Sequence, residues 1–531
     1  MTDTTSPPVA GRGLPVATLI AGCLAVCLAQ TGLAIPATLN GLFQTDLETT
    51  GSQLTWISDA TLLPVAVLGL TFGVFGDLFG RKRLLIGGAL LMAAGEAASA
   101  AANSVHFLWA GQALVGVGAA AIFPSSLAMI AVGTRTNRQR ATAIAAWSAS
   151  LAGGGFVAPL LGGITANYGS WRWALIIVAL IGLVSAAVGF IAHDSSAPLG
   201  RSLDVKGQLA IAIGLFALLY AVIQGPSDGW DSAGVVLGFV VAAVFLTLFI
   251  VVEMRSRAPL LQLHLFKHRA FALSSVVAVV GMFSFIGTCY ALSIRLGPIQ
   301  HQSPLRTSVA FLLTNGPTMV LAPITAVLLA RVAARWLLSS GFLLIAVGDV
   351  LLARLSITDR ALPSLIVPLI LVGMGFTLAV SSITATAVNT VPVRLAGMAS
   401  ATTSQLRDLG FTLGPAVIGA IALSRAASEF GNSLATSQLP EGVKAAAGQV
   451  AAAGGPLAVN SLPPQSPPGG AVPLALDALG HGYSVGFVVC ACAALVSCLL
   501  AGLVLRGGRP KVNVTESDVE DTDTSPEPAA A

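Results

Sequence analysis

The sequence predicts an all-α integral membrane protein of fourteen transmembrane helices, and three observations carry that expectation. Of 531 residues, 55% are hydrophobic and only 9% are charged, with a mean hydropathy of +0.85. Apolar stretches of the roughly 20 residues that a bilayer crossing needs recur from one end of the chain to the other. Lys and Arg gather in alternate connections between those stretches, which is how a polytopic chain fixes its orientation. No ordinary soluble domain has this composition.

Hydropathy places the spans at Leu14–Pro36, Trp56–Gly76, Leu84–Ala102, Phe107–Ala131, Ala141–Ala166, Trp173–Ala192, Gly207–Ile223, Val235–Val252, Ala272–Ile294, Val309–Leu329, Trp336–Leu355, Leu362–Val388, Ala396–Leu423 and Tyr483–Leu505. Residues 1–13 are a short polar segment with Arg12, and nothing like a small-residue cleavage site follows the first span. That span therefore reads as a retained helix, not a signal peptide. Spans one to six form an N-terminal six-helix bundle over 14–193, spans seven and eight an inserted pair over 205–253, and the remaining six a C-terminal bundle over 270–506. Two pseudo-symmetric bundles plus an inserted pair is the expected plan.

Three segments lie outside the spans. Residues 425–482, rich in Ala, Pro, Gly and Ser, are expected to be an extracellular insert of short helices or disorder. Residues 254–269 are basic and amphipathic, which predicts a segment lying along the inner interface. Residues 507–531 collect Glu516, Asp518, Glu520, Asp521, Asp523 and Glu527 with almost no large apolar side chain. This predicts a disordered acidic cytoplasmic tail. With the N-terminus inside, the retained connections hold Arg81, Lys82, Arg83, Arg135, Arg138, Arg140, Arg255, Arg257, Lys267, Arg269, Arg331, Arg335, Arg506, Arg509 and Lys511, about 19 cations in all against about 7 outside. An even number of spans with both termini cytoplasmic, in a multi-pass protein of the cell membrane, is the expectation.

Composition also excludes function classes. The net charge of +4 is scattered through loops, so there is no basic stripe for a nucleic-acid backbone. Cys23, Cys27, Cys289, Cys490, Cys492 and Cys498 all fall in apolar spans and are expected to form neither disulfide nor metal site. No nucleotide-binding loop, Ser-His-Asp arrangement or cofactor motif is visible, so neither an enzyme nor a cofactor is expected. A non-transporting receptor would find support only in 425–482. The expected partners are the bilayer, protons and an apolar small molecule, for a monomer.

The run Gly73-Val-Phe-Gly-Asp-Leu-Phe-Gly-Arg-Lys-Arg-Leu-Leu85 places a carboxylate, three cations and three glycines between spans two and three. It reads as a tight loop in which Gly73, Gly76 and Gly80 permit close helix approach while Asp77 and Arg81 pair with each other or with helix ends. Ala330-Arg-Val-Ala-Ala-Arg-Trp-Leu-Leu338, followed by Gly341, echoes it between spans ten and eleven. Eight helices separate the copies, which fits two six-helix halves with an inserted pair.

The Gly73–Leu85 segment resembles the loop 2–3 motif of the major facilitator superfamily, and the span count is similar to that of its fourteen-helix drug:proton antiporter branch, the multidrug efflux type. The resemblance implies a cytoplasmic gate at Gly73, Gly76, Asp77, Gly80 and Arg81, extending to Lys82 and Arg83, with Arg331 and Arg335 on the other side. Span five carries Gly155-Phe-Val-Ala-Pro159-Leu-Leu-Gly162-Gly163, similar to that branch's antiporter motif, with Ala158 where glycine is usual. A bent, flat-faced helix there would let the opposite half pack closely and close a proton leak. Trp171-Arg172-Trp173 also resembles the family and by its chemistry is an interfacial anchor. Gln405-Leu-Arg407-Asp408-Leu-Gly410-Phe-Thr-Leu-Gly414-Pro415 resembles the span-thirteen pattern.

Two positions depart from the family. Cys27 stands where span one usually has an aspartate, and Gln112 where span four usually has an arginine, with Val115 in place of a glutamine. Losing the acid favours losing the base, because an unpaired charge in the membrane interior is costly. The ionisable residues left in the spans are Asp59, Glu96, Asp349, Arg407 and Asp408, and such groups are functional candidates by default. Asp59, in the outer half of span two and expected to face a central cavity, is the first proton-coupling candidate, with Arg407 and Asp408 as an adjacent pair. Glu96 and Asp349, nearer their helix ends, are expected to face headgroups or loops. Spans nine and ten hold no acid, only Thr288, Tyr290, Thr307, Thr314, Asn315 and Thr318 as polar content, which favours a neutral or weakly charged substrate. Gln30, Gln112 and Asn315 are the substrate-binding candidates. The reading that follows is a secondary active transporter exporting an apolar drug or antibiotic by proton antiport and alternating access. The alternative is a facilitator or importer of the same fold, without coupling through the usual first-span carboxylate.

Overall fold

Sixteen α-helices, in chain order, make up the computed structural model, which describes residues 16–134, 136–196, 203–256, 259–261, 263–388, 390–391 and 396–504. They are α1 (Val16–Ala34), α2 (Pro36–Leu47), α3 (Gly51–Phe79), α4 (Arg81–Ala100), α5 (Val105–Val132), α6 (Asn137–Tyr168), α7 (Trp171–Gly189), α8 (Val205–Asp228), α9 (Ala233–Arg255), α10 (Arg269–Ile294), α11 (Pro304–Arg331), α12 (Ala334–Arg354), α13 (Leu362–Val388), α14 (Ala396–Thr436), α15 (Glu441–Asn460) and α16 (Val472–Leu499). Fourteen of these, all but α2 and α15, are long and apolar enough to cross a bilayer. The segment 1–13, the tail 507–531, Arg135, Arg257, Arg506, Arg509 and Lys511 lie outside the described residues.

Local sequence explains where helices start. Thr50 and Gln53 form a reciprocal capping box at α3, and Ser104, Thr136, Ser170, Asp204, Ser232 and Ser303 each cap the helix that follows by accepting a backbone N–H. Prolines 64, 124, 159, 317, 323, 368 and 415 sit inside spans. Neighbouring helices and local backbone adjustment make that tolerable in a membrane bundle.

Small residues set the packing. A Cβ on Gly95 would stand 2.7 Å from the Gly111 carbonyl oxygen, and one on Gly88 2.8 Å from that of Gly118, so α4 and α5 meet backbone to backbone. The α12–α13 pair does the same: a Cβ on Gly348 would stand 2.8 Å from the Pro368 oxygen, and one on Gly341 2.7 Å from the Gly375 oxygen. Gly116 is pressed onto Thr61 and Pro64 of α3, and Gly373 onto Thr314 and Pro317 of α11. Helix α8 packs Leu215, Leu219 and Ile223 against α3 and α14, while α9 leaves Leu237, Val240 and Val244 exposed.

Two expectations change here, and a third, open between short helices and disorder, is decided. The chain does not leave helix after the first span: Pro36 opens α2, since proline is tolerated at a first helical turn. The 425–482 insert is folded. Helix α14 runs on to Thr436, and Phe430, Leu434, Ala447, Val459 and Ala471 share a small core beneath α15. Trp171 is no interfacial anchor, being 1% exposed, set edge-on to Phe43 and donating its indole N–H to Asp46 at 2.6 Å; Trp173, 57% exposed, keeps that place.

Candidate functional site

Helices from the first 193 residues and from residue 269 onward meet along a seam at the end of the bundle that carries α15. Asn40 of α2 donates its side-chain amide to Ser293 Oγ of α10 at 2.9 Å, and Ser293 in turn donates to the Ala37 carbonyl. Gly41 lies against Gly297, and Thr55 shares a 2.6 Å hydrogen bond with the Tyr290 hydroxyl. Gln44 donates to Ser461 Oγ at 2.8 Å, and Asn460 donates to the Ile299 carbonyl at 3.0 Å. A second line joins α6 and α11, where Ser308 donates to the Pro159 carbonyl and rests on Gly163. Along α3 and α14, Thr412 donates to the Leu62 carbonyl and Gln405 to that of Ala66.

Toward the opposite end, which carries Arg81, these lines part. On α11, Met319 lies one turn beyond Asn315 on the same face as Ser308, and it is 50% exposed. On α6, Ser148 and Ala149 are exposed, and both Gly153 and Gly316 have open space where a Cβ would point. At the apex of this opening stand Gln30 and Asn315, brought together across Gly155: a Cβ there would be 3.5 Å from Asn315 Oδ1 and 3.9 Å from Gln30 Nε2. Gly154 has the Cys27 carbonyl and Gln30 Cβ against it, so a flat α6 face fits between α1 and α11. Gly155, Gly163 and the Pro159 carbonyl thus lie on the face joined to α11, whereas Gly162 is pressed onto Thr38 of α2. Gln112 does not join the other two amides. It is fully buried, accepts from Thr61 Oγ1 at 3.1 Å and donates to Ser99 Oγ at 3.0 Å, so both ends of its amide are occupied.

The ionisable residues are placed differently from expectation. Asp59 is 0% exposed and, among the described residues, neither carboxyl oxygen has a hydrogen-bond partner; it faces no open cavity but lies one turn below the Thr55–Tyr290 contact. Glu96 and Asp349 were expected at headgroups or loops, yet both are 0% exposed. The reason is that each lies on the packed face of its helix, covered by α1 or α10, while Leu90 of α4 and Leu343 of α12 stay exposed on the other face. Arg407 and Asp408 do pair, at 3.3 Å, with side chains 28% and 20% exposed.

At the Arg81 end, Arg81 bonds Asp77 Oδ1 twice, at 2.6 and 3.1 Å, with both residues buried. Its N–H reaches the Ser195 carbonyl, and the Lys82 N–H reaches Asp194 at 3.1 Å. Gly80 has φ +101°, a region that favours glycine, and a Cβ there would meet Asp194 at 2.9 Å. Gly76 is close to Arg81, whereas Gly73 has only Pro124 at 3.8 Å, so close approach is needed at two of the three glycines. Arg331 is exposed and the Arg335 guanidinium lies 5.2 Å from the Trp336 ring centre.

Sequence reasoning missed Arg295, which falls just past the ninth span. Its guanidinium is buried and donates to the carbonyls of Leu355 and Ser356 at 3.0 and 2.6 Å, closing the open end of α12. Nearby, in the α12–α13 loop, the Asp359 carboxyl is held below its ordinary range by the Ser364 hydroxyl, then the Ala361 N–H, with the Arg295 charge adding to them. Only its position beside the span could have pointed to Arg295.

Residues 21–415 match the model of the family described as Major Facilitator Superfamily. The chain is 30% identical over 369 residues to "Multidrug resistance protein Stp" of Mycobacterium tuberculosis (strain CDC 1551 / Oshkosh), covering 69% of this chain and 68% of that one. It is 28% identical to "Tetracenomycin C resistance and export protein" of Streptomyces glaucescens, covering 96% and 95%. Among solved structures, that of the peptide transporter POT in complex with sulfate aligns over 91% of this chain and 93% of its own, with a TM-score of 0.60 at 16% identity, a likeness of fold.

Proposed function

The chain belongs to the Major Facilitator Superfamily and is a membrane transporter, and from that premise we propose that it exports an apolar small molecule, a drug or antibiotic, by proton antiport with alternating access. One observation carries the reading: the two groups of helices are joined at the α15 end and parted at the Arg81 end, with Gln30 and Asn315 at the apex between. A path closed at one end and open at the other, with polar groups at the closure, is what a carrier needs at one stage of its cycle. The resistance and export named for its relatives supports the direction and substrate class. The Arg81 end is taken as cytoplasmic from the cation count, with both termini on that side and a monomer as the working unit.

Asp59 is the coupling group in this reading, with Arg407 and Asp408 as a mid-span pair. The alternative, a facilitator or importer without coupling through a first-span carboxylate, is favoured by Cys27 and by the neutral, fully occupied Gln112. Purified protein in liposomes decides between them. Export should rise with an imposed pH gradient, and transport indifferent to the gradient would sink the antiport reading.

Two further results are expected. Replacing Gln30 or Asn315 by Ala should weaken substrate binding about fivefold, the worth of one neutral hydrogen bond at ~1 kcal/mol, as measured by equilibrium binding. Unchanged affinity in both would remove them from the site. Asp77→Asn should slow turnover about tenfold at unchanged affinity, because it weakens a charge-assisted contact of the gate and not the site. A change confined to affinity would contradict the gate assignment.

A further inference from the structure

Glu96 and Asp349 occupy matching places in the two groups of helices. Each directly follows a glycine, Gly95 or Gly348, that presses its helix onto the next one. Counting from those glycines, seven residues back stand Gly88 and Gly341, which make the second contact of each pair, with Gly118 and Gly375. Each carboxyl then faces the first helix of its own group. A Cβ on Gly32 of α1 would stand 3.0 Å from Glu96 Oε1, and Thr288 Oγ1 of α10 donates to Asp349 Oδ1 at 2.7 Å.

Among the described residues, neither carboxyl has a cation beside it. Both oxygens of Glu96 and Oδ2 of Asp349 lack a hydrogen-bond partner. Among the described residues, no charged or titratable side chain of α1, α3, α5 or α7 faces Glu96. Around Asp349 the titratable groups are the thiols of Cys289 on α10 and Cys490 on α16, and no cation faces it from α13. An ionised carboxylate so placed would be buried without compensation, which is strongly unfavourable.

The helices these groups bear on are the ones that make the seam. Past Gly32, α1 leads into α2, with Asn40, Gly41 and Gln44. Past Thr288, α10 carries Tyr290 and Ser293, the partners of Thr55 and Asn40. We propose that Glu96 and Asp349 are a matched pair of proton-binding groups, one behind each side of the seam, and that the seam closes only when both carry a proton.

The step balances simply. When the seam opens, water reaches the two sites and each carboxyl can ionise. Before closure each carboxylate takes one proton from that water, forming an O–H bond, and on reopening the proton returns to water. Closed and protonated are linked, so acid favours the closed seam and alkali the open one. This deepens the transporter reading and rests on it, but it does not depend on Asp59.

The test reads the seam directly. Gln44→Cys, in a protein whose six native cysteines are replaced, places a thiol that is covered in the closed seam. Its alkylation rate in liposomes, divided at each pH by that of the same thiol in the denatured protein so that the thiolate's own pH dependence cancels, should fall between about pH 8 and about pH 6 by up to about tenfold per pH unit for each linked proton. Adding Glu96→Gln and Asp349→Asn together, both neutral and close in shape, should leave a slow normalised rate whose remaining pH response is that of Asp59 alone. Each single variant should keep part of the response, which covers the case that the double variant does not fold. Asp59→Asn should keep the part of the response that Glu96 and Asp349 carry even where it loses coupled export, so failure of the Asp59 assignment and failure of this pair are distinguishable. An unresponsive parent, or a double variant that responds as the parent does, would overturn the pair.

Discussion

Asp59→Asn is expected to abolish gradient-driven export while leaving substrate binding measurable. With one coupled proton, accumulation can reach about tenfold per unit of pH gradient, and in the variant it should fall to about one. The physical ground is the site's poverty. Asp59 is fully buried, its oxygens have no partner, and it lies beneath the Thr55–Tyr290 contact that joins the two sides. Such a group tolerates the closed seam without its charge and needs water to carry one. An amide of the same shape fills the space and cannot exchange a proton. Substrate counterflow, which needs no gradient, should survive within about twofold, the scatter expected of a site not itself touched. Normal pH-coupled transport in the variant would defeat the assignment, and loss of counterflow as well would point to a structural role.

Gly163→Ala should have the second large effect, on conformation and not on coupling. The added methyl would overlap Ser308, whose hydroxyl donates to the Pro159 carbonyl and which belongs to the joined face of α6 and α11. Overpacking of this kind costs about 1–3 kcal/mol, enough to move a two-state equilibrium by about five- to more than a hundredfold. The penalty falls only on the conformer closed at the α15 end. The expected outcome is a spin-label distance across α2 and α10 shifted toward the open seam, with the same thermal stability within a few degrees. An unshifted distance would mean that α6 and α11 relax around the methyl, and the antiporter-helix assignment would lose its mechanical content.

Much of the architecture could be read from periodic hydropathy, because a bilayer imposes one length and one solution on every crossing. The Gly73–Leu85 loop and the flat α6 face were legible for a related reason: glycine, proline and opposite charges at close spacing have few other uses in an apolar chain. What escaped reading depends on contacts between distant segments. Trp171 looks like a headgroup anchor until Phe43 and Asp46 cover it. Glu96 and Asp349 look like helix-end residues until α1 and α10 are laid against them. Gln112 looks like a free amide until Thr61 and Ser99 take both of its ends. The insert left short helices and disorder both open, since its small residues decide neither until α14 and α16 supply Phe430, Leu434 and Ala475 as a surface to pack on.

In the proposed cycle that insert would also set a tempo. Asn460 grips the carbonyls at the end of α10 while Ser461 holds Gln44 of α2, so one short strap is fastened to both sides of the seam. In the proposed cycle every opening would unfasten it, and neither residue is among those that meet Gln30 or Asn315 at the apex. On that proposal, sequence change in the strap would speed or slow the carrier without altering what it carries, and a binder seated on α15 would arrest the protein in one posture from outside the proposed substrate route.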